Sequence, residues 1–173
     1  MKVDLSKAFD RVNWLYLQML LTHIGFPFNF IKWIIGCITN IPFSVLVNGS
    51  ASPFFISARG LRKDCPLSPL LFPLIMEGLS QIIREEHRRG GLKDINITKD
   101  FTPTHLLFVD DVLIFLNGSV GDMTIIKDVF SLFEIAMGMI INDGKSTLTA
   151  TACSQHEIHY ALHSFHCEQI SME

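Results

Sequence analysis

Two acidic positions in this 173-residue sequence each interrupt an apolar, β-forming run, and they are the first candidates for chemistry. Asp4 stands in Lys2-Val3-Asp4-Leu5, and Asp110-Asp111 separate His105-Leu106-Leu107-Phe108-Val109 from Val112-Leu113-Ile114-Phe115. Adjacent carboxylates at a hairpin tip repel each other and resist losing water, so they demand a counter-charge or open solvent. A divalent cation meets that demand, and so does simple exposure, because Asp is a favoured turn residue. Asp4 has an equally plain role as a cap on the turn after it. A second set of ligand types, Cys153, His156, His159, His163, His166 and Cys167, crowds the C-terminal tail. His159 and His163 lie one helical turn apart, but the spacing follows no standard zinc pattern, and an incidental helix explains it better. Arg84, His87, Arg88 and Arg89 could meet a polyanion; Glu85 and Glu86 among them favour a solvated helix end.

The elements that must position these residues are legible from periodicity. Asn13 can cap a helix in which Leu17, Leu20, Leu21 and Ile24 recur at helical spacing and which Gly25 and Pro27 end. A short helix is expected over 29–37. Apolar runs 43–47 and 54–57 flank Asn48-Gly49, a hairpin turn signal, and lead into a loop over 58–67. Ser68 as N-cap with Pro69 in the first turn predicts a long helix to about Arg88, stopped by Gly90-Gly91, with Pro73 costing a hydrogen bond or a kink. Strands are expected over 95–97, 104–108, 112–116 and 139–141. Between the last two, Asp122 is the expected cap of a helix with an apolar stripe of Ile125, Ile126, Val129, Phe130, Phe133 and Ala136, ended by Gly138. Strands mixed with two long helices predict an α+β fold, with helices on one face of the sheet.

Composition narrows the setting. With 49% hydrophobic and 18% charged residues the chain is too apolar for disorder, and its length fits one domain. Lys32, Gly36 and Pro42 break the apolar runs below the ~18 residues of a membrane span, and the charged N-terminus lacks an export signal. The expectation is a soluble, intracellular protein, cytoplasmic or nuclear, with Cys37, Cys65, Cys153 and Cys167 as free thiols. The net charge of -3 runs against nucleic-acid binding, whose affinity rests largely on Lys and Arg.

Four segments occur in a telling order: Asp4-Leu5-Ser6-Lys7-Ala8-Phe9-Asp10, then Gly60 to Pro69, then Phe108-Val109-Asp110-Asp111, then Gly138 to Ser146. Over about residues 2–146, with Val12-Asn13-Trp14 and Glu77-Gly78-Leu79 between them, the chain resembles the palm motifs A to D of reverse transcriptases of plant LINE-type, non-LTR retroelements. The resemblance implies a palm-like antiparallel sheet over 1–146 and a non-homologous tail over 147–173, either helical or disordered, with fingers and thumb largely missing. It implies two Mg²⁺ ions held by Asp4, the Leu5 carbonyl and Asp110, with Asp111 in support. Lys145 becomes a candidate general acid for the leaving pyrophosphate; a lysine on a solvated turn is the plain alternative. Phe9 becomes the residue that excludes a ribose 2′-hydroxyl, while Arg62 and Lys63 lie in the loop near nucleotide and template. RNA template, DNA primer and dNTPs are the implied partners of a complete homologue.

The family's usual Gln-Gly in motif B is Lys63-Asp64 here, so Asp64 puts a side chain and a negative charge where phosphate should pass. Val109 replaces the commoner Ala. The expectation is therefore a fragment of an RNA-directed DNA polymerase that is inactive alone. The alternatives are a non-catalytic remnant that self-associates through exposed apolar surface, or another two-metal phosphotransferase or nuclease.

Overall fold

A computed structural model describes all residues except 64, 94, 96–101, 151–154 and 170–173. The chain opens with strand β1 (Lys2–Ser6), the one-turn helix α1 (Ala8–Arg11), and helices α2 (Trp14–Ile24) and α3 (Phe28–Ile38). Asn13 caps α2, its side-chain oxygen accepting from Leu15 N at 2.9 Å, and Gly25 closes the helix at φ 96°. Four two-residue strands follow: β2 (Pro42–Phe43), β3 (Leu46–Val47), β4 (Ser50–Ala51) and β5 (Phe55–Ile56). They form two nested pairs, β3 with β4 and β2 with β5. The turn at their tip is Asn48-Gly49, with φ 49° and 82°, the doubly positive pair that a type I′ hairpin requires.

Helix α4 (Ser68–Arg88) runs through Pro73, and its buried Leu71, Phe72, Ile75, Met76, Leu79 and Ile83 form one stripe. Its cap differs from expectation. The cap position is Leu67, without a side-chain bond, and Ser68 instead donates its hydroxyl to the Arg62 carbonyl, fastening the preceding loop. Strands β6 (His105–Phe108) and β7 (Asp111–Ile114) form a hairpin, and helix α5 (Val120–Met137) follows. Here too the cap moves: Ser119 Oγ accepts from Asp122 N at 3.2 Å and bonds the Asp122 carboxylate at 2.8 Å. Asp122 thus fills the third helical position of a capping-box-like arrangement. The strand expected over 95–97 falls mostly outside the described residues.

The sheet is completed by β8 (Ile140–Ile141), β9 (Thr147–Leu148) and β10 (Glu168–Gln169), with α6 (Gln155–Phe165) before the last. Its order is β10-β9-β1-β7-β6, with β8 also on β1; all pairings are antiparallel except β10 on β9. Strand β1 therefore lies between β7 on one side and β8 and β9 on the other. Alternation sends Val3, Leu5, Val112 and Ile114 into one core with α2, α4 and α5, while Lys2, Asp4, Asp111 and Leu113 stay on the uncovered face. The architecture is a mixed one, helices and an antiparallel sheet with one covered face. Ala161 and Phe165 of α6 and Leu148 of β9 are buried in the same core, so the segment after 146 packs onto the body.

Candidate active site

The uncovered face of the sheet is where the acidic residues meet. The register places Asp4 directly opposite Asp111, and Leu5 N donates to the Asp110 carbonyl at 3.2 Å. Residues more than a hundred positions apart in sequence thus become neighbours on adjacent strands. The other edge of β1 is held as well: Asn142 N donates to the Asp4 carbonyl at 2.8 Å, and Asp4 N donates to Ser146 Oγ at 3.2 Å. Strand β1 is thus held from both sides at the acidic position. Lys145 projects from the turn that makes this second contact and is exposed.

The turn between β6 and β7 is Val109-Asp110, and Phe108 pairs with Asp111 across it. Val109 has φ 55°, a region that a β-branched residue enters only with strain. Lys7, at the other end of the acidic strand, also has positive φ, 51°. Such outliers cost of order 1–3 kcal/mol each and cluster at functional sites. The gain here is geometric, since the two-residue turn keeps Asp110 within reach of β1.

One neighbour of the acids escaped the reading of motifs. Lys2 Nζ lies 3.1 Å from Asp111 Oδ2, so a lysine supplies part of the counter-charge that the acidic pair demands. The signal was present in the alternation itself, because positions 2 and 4 of one strand share a face. Both side chains are partly exposed, which makes this a weak ion pair.

Donor chemistry at this face suits a hard divalent cation, since carboxylate and carbonyl oxygens are the ligands Mg²⁺ prefers. Among the described residues, no three His, Cys, Asp or Glu side chains gather closely enough to hold a metal. That is compatible with Mg²⁺, which is usually bound by one or two carboxylates and takes its other ligands from water and substrate phosphate. It gives the histidine-rich tail no zinc cluster among the described residues; His163 and His166 face each other at 6.1 Å, and Cys153 lies outside them. Cys37, Cys65 and Cys167 are free thiols.

The remaining candidates are placed separately. Phe9, on α1, stacks on the buried Phe72 of α4 with ring centroids 4.4 Å apart and 12° between planes, so packing fixes its orientation. Arg62 and Lys63 are exposed and line a cleft of about 260 Å³ with Asp10, Ser57 and Cys65. Asp64 lies outside the described residues. This loop is pinned to α1 and α2: Gly60 N donates to the Val12 carbonyl at 2.8 Å, Leu61 N to the Phe9 carbonyl at 2.7 Å, and Trp14 Nε1 to the Gly60 carbonyl at 2.7 Å. A side chain at Gly60 would collide with the Asp10 carbonyl 2.7 Å away, and its φ of +96° also favours glycine. Behind the sheet, His105 bridges Ser80 (2.7 Å) and Thr104 (2.9 Å), and burial holds its pKa below the ordinary value.

Fold and site together describe a one-sided antiparallel sheet with Asp4 and Asp111 set opposite each other on β1 and β7. Residues 1–163 match the reverse transcriptase (RNA-dependent DNA polymerase) family, and the chain belongs to it. Among curated relatives, it is 27% identical over 143 residues to the retrovirus-related Pol polyprotein from type-2 retrotransposable element R2DM of Drosophila melanogaster, covering 83% of this chain and 13% of that protein. It is 28% identical over 153 residues to the retrovirus-related Pol polyprotein from type-1 retrotransposable element R2 of Popillia japonica, covering 88% of this chain and 21% of the relative. An uncharacterised mitochondrial protein of Arabidopsis thaliana is 39% identical over 67 residues, 38% of this chain and 55% of its own length. The chain thus spans about a fifth or less of the two polyproteins. No helix among the described residues is long and apolar enough to cross a membrane.

Proposed function

We propose that the face bearing Asp4, Asp110 and Asp111 is the nucleotidyl-transfer site of an RNA-directed DNA polymerase palm, of the kind found in plant LINE-type elements. The observation that carries the reading is the register that sets Asp4 opposite Asp111, with Asp110 at the adjoining turn. In this reading Asp4, the Leu5 carbonyl and Asp110 hold divalent cations, and Asp111 supports them while paired with Lys2. Two Mg²⁺ ions, when bound, supply charge stabilisation and activation of a primer 3′-hydroxyl. Phe9, immobilised on Phe72, presents the bulk that excludes a 2′-hydroxyl. Lys145 donates a proton to the leaving pyrophosphate, and Arg62 and Lys63 meet the nucleotide or template. RNA template, DNA primer and dNTPs are the substrates and partners. Residues 1–146 form the palm, and the segment from 147 on lies outside its motifs and packs onto its core.

The 173-residue chain by itself is inactive in this reading. Positioning supplies most of the rate in phosphoryl transfer. The acids lie on an open face beside exposed Leu106, Phe108 and Leu113, with one of them paired with a lysine. A second reading, a non-catalytic module that pairs with another copy of itself, is favoured by exposed Phe30, Trp33 and Leu70 around an apolar groove of about 350 Å³.

Mn²⁺ titration followed by water proton relaxation, together with primer extension on an RNA template, tests the first reading. The chain should bind Mn²⁺, Asp4→Asn and Asp110→Asn should each weaken binding at least tenfold, and extension should be absent. Binding that both variants leave unchanged would remove the acids from the site, as would product formed equally by the wild type and Asp110→Ala. Light scattering tests the second: a concentration-dependent dimer that Trp33→Glu dissolves is expected, and a monomer throughout excludes it.

A further inference from the structure

A cleft of about 220 Å³ opens where the end of α5 meets α1 and the loop before Gly60, lined by Arg11, Asn13, Arg59, Met137 and Gly138 among others. No carboxylate lines it. Gly138 leaves the cleft open: a Cβ there would stand 3.6 Å from Arg59 Nη1 and 3.4 Å from the Arg11 carbonyl. Among the described residues Lys2, Arg84, Arg88 and Arg89 form ion pairs with carboxylates, whereas Arg11 and Arg59 form none. Arg11 Nε is moreover buried and makes no hydrogen bond. A buried donor on a charged group without an acceptor is costly and rare in native proteins, so it points to an acceptor that the chain does not provide.

Arginines beside a helix C-terminus have an ordinary use, which is to bond its last carbonyls. Other donors already occupy two of the last four carbonyls of α5. Gly138 N donates to Glu134 O at 2.7 Å, and Asn13 Nδ2 donates to Ala136 O at 3.4 Å. Two guanidinium groups also outweigh the roughly half negative charge of a helix end. Size decides among anions. The cleft is smaller than the ~300 Å³ at which small-molecule pockets begin, so it suits a single compact anionic group and excludes a base with its sugar. Planar guanidinium forks match the oxygens of phosphate.

We propose that Arg11 and Arg59 form a binding site for one phosphate group of a nucleic-acid strand, held at the end of α5 apart from the acidic face. The phosphate chemistry rests on the cleft, and nucleic acid as its carrier rests on the polymerase reading. The site places positive charge locally in a chain whose overall charge of -3 opposes such binding.

The arginine Nε–Hε resonances of the ¹⁵N-labelled full chain, titrated with inorganic phosphate, give one test. A fluorescent single-stranded RNA oligonucleotide, titrated by anisotropy at several salt concentrations, gives the other. The Arg11 Nε–Hε resonance should move on adding phosphate, and Arg59→Gln should weaken phosphate binding about tenfold. For the oligonucleotide, Arg59→Gln and Arg11→Gln should each make the slope of log K against log salt shallower by about 0.7, one contact on a single strand. Arg59→Lys should recover most of the slope, because the charge remains. Arg59 is exposed, so its variants keep the fold, and their melting curves check this. An Arg11 resonance that neither probe moves overturns the site. Wild-type affinity and slope in both glutamine variants overturn it equally. Phosphate binding without oligonucleotide binding overturns the nucleic-acid carrier. Failure of the polymerase reading shows in the Mn²⁺ and extension assays and leaves the phosphate titration unaffected.

Discussion

Lys2 and Asp111 hold each other at 3.1 Å on a face where a cation is proposed to bind, so the lysine competes with that cation for the same carboxylate. Exposed pairs of this kind contribute about 0–1 kcal/mol. Lys2→Met should therefore leave the melting temperature within about 4 °C of wild type, given about 2–4 °C per kcal/mol at this length. It should also tighten Mn²⁺ binding, because a positive charge leaves the site; weaker binding in the Mn²⁺ titration would show that Lys2 supports the acids and does not compete. Val109 offers a second residue-level test. A side chain in the left-handed region costs about 1–2 kcal/mol, and glycine returns roughly 0.5–1 kcal/mol of that as unfolded-state entropy. Val109→Gly should be stabilising by about 0.5 kcal/mol in urea denaturation, against the usual direction for glycine substitutions. A loss of stability would mean the valine side chain packs usefully at the turn.

At the scale of elements, the loop over 58–67 is held by its backbone and by one glycine. Gly60→Ala combines a positive φ with a clash against the Asp10 carbonyl, while Gly90→Ala has φ +76° and open space around it. The second should cost about 1 kcal/mol and the first clearly more, of order 2–3 kcal/mol, when both are measured by urea denaturation. Equal costs would show that the contact with α1 yields freely. The tie between β6 and α4 through His105 and Ser80 is expected to depend on pH. Burial, reinforced by Arg84, holds His105 below its ordinary value of 6.5, so between the two values the unfolded chain binds more protons than the folded one. Stability from this residue is complete above 6.5 and declines as the pH falls through that value and on toward the lowered one. The melting temperature should drop between pH 7.5 and 5.5, and His105→Gln should flatten the slope; identical slopes would exclude His105 as its source. Elements of this kind were readable to different degrees. The cap of α2 at Asn13 was visible because a side chain next to an apolar stripe acts locally. The caps of α4 and α5 moved by one to three residues, because Ser68 and Asp122 each found a better partner in tertiary contact or in a neighbouring serine.

For the whole molecule, the segment after Ser146 contributes more than a tail's share. Strand β9 pairs with β1 at Lys2 and Thr147, and Leu148, Ala161 and Phe165 are buried. Removing 147–173 should lower the melting temperature by 10 °C or more and expose apolar surface to a dye such as ANS. Phe165→Ala alone should cost about 3–5 kcal/mol. A truncated chain that melts like the full one would show that α6 rests on the body without supporting it.

Four ordered segments, the period of each helix and the acids set in apolar runs could all be read from the residues, because these signals are local or depend only on order along the chain. They carried the family and the α+β class. Pairing between β1 and β7 could be anticipated only through resemblance, since nothing near Asp4 specifies a partner more than a hundred residues away. The lysine on Asp111, the glycine that seats the loop on α1 and the arginines at the end of α5 depended on register and close packing. Those are three-dimensional properties: which side chains share a face follows from how strands align and how tightly backbones approach, and a linear order of residues does not encode that directly.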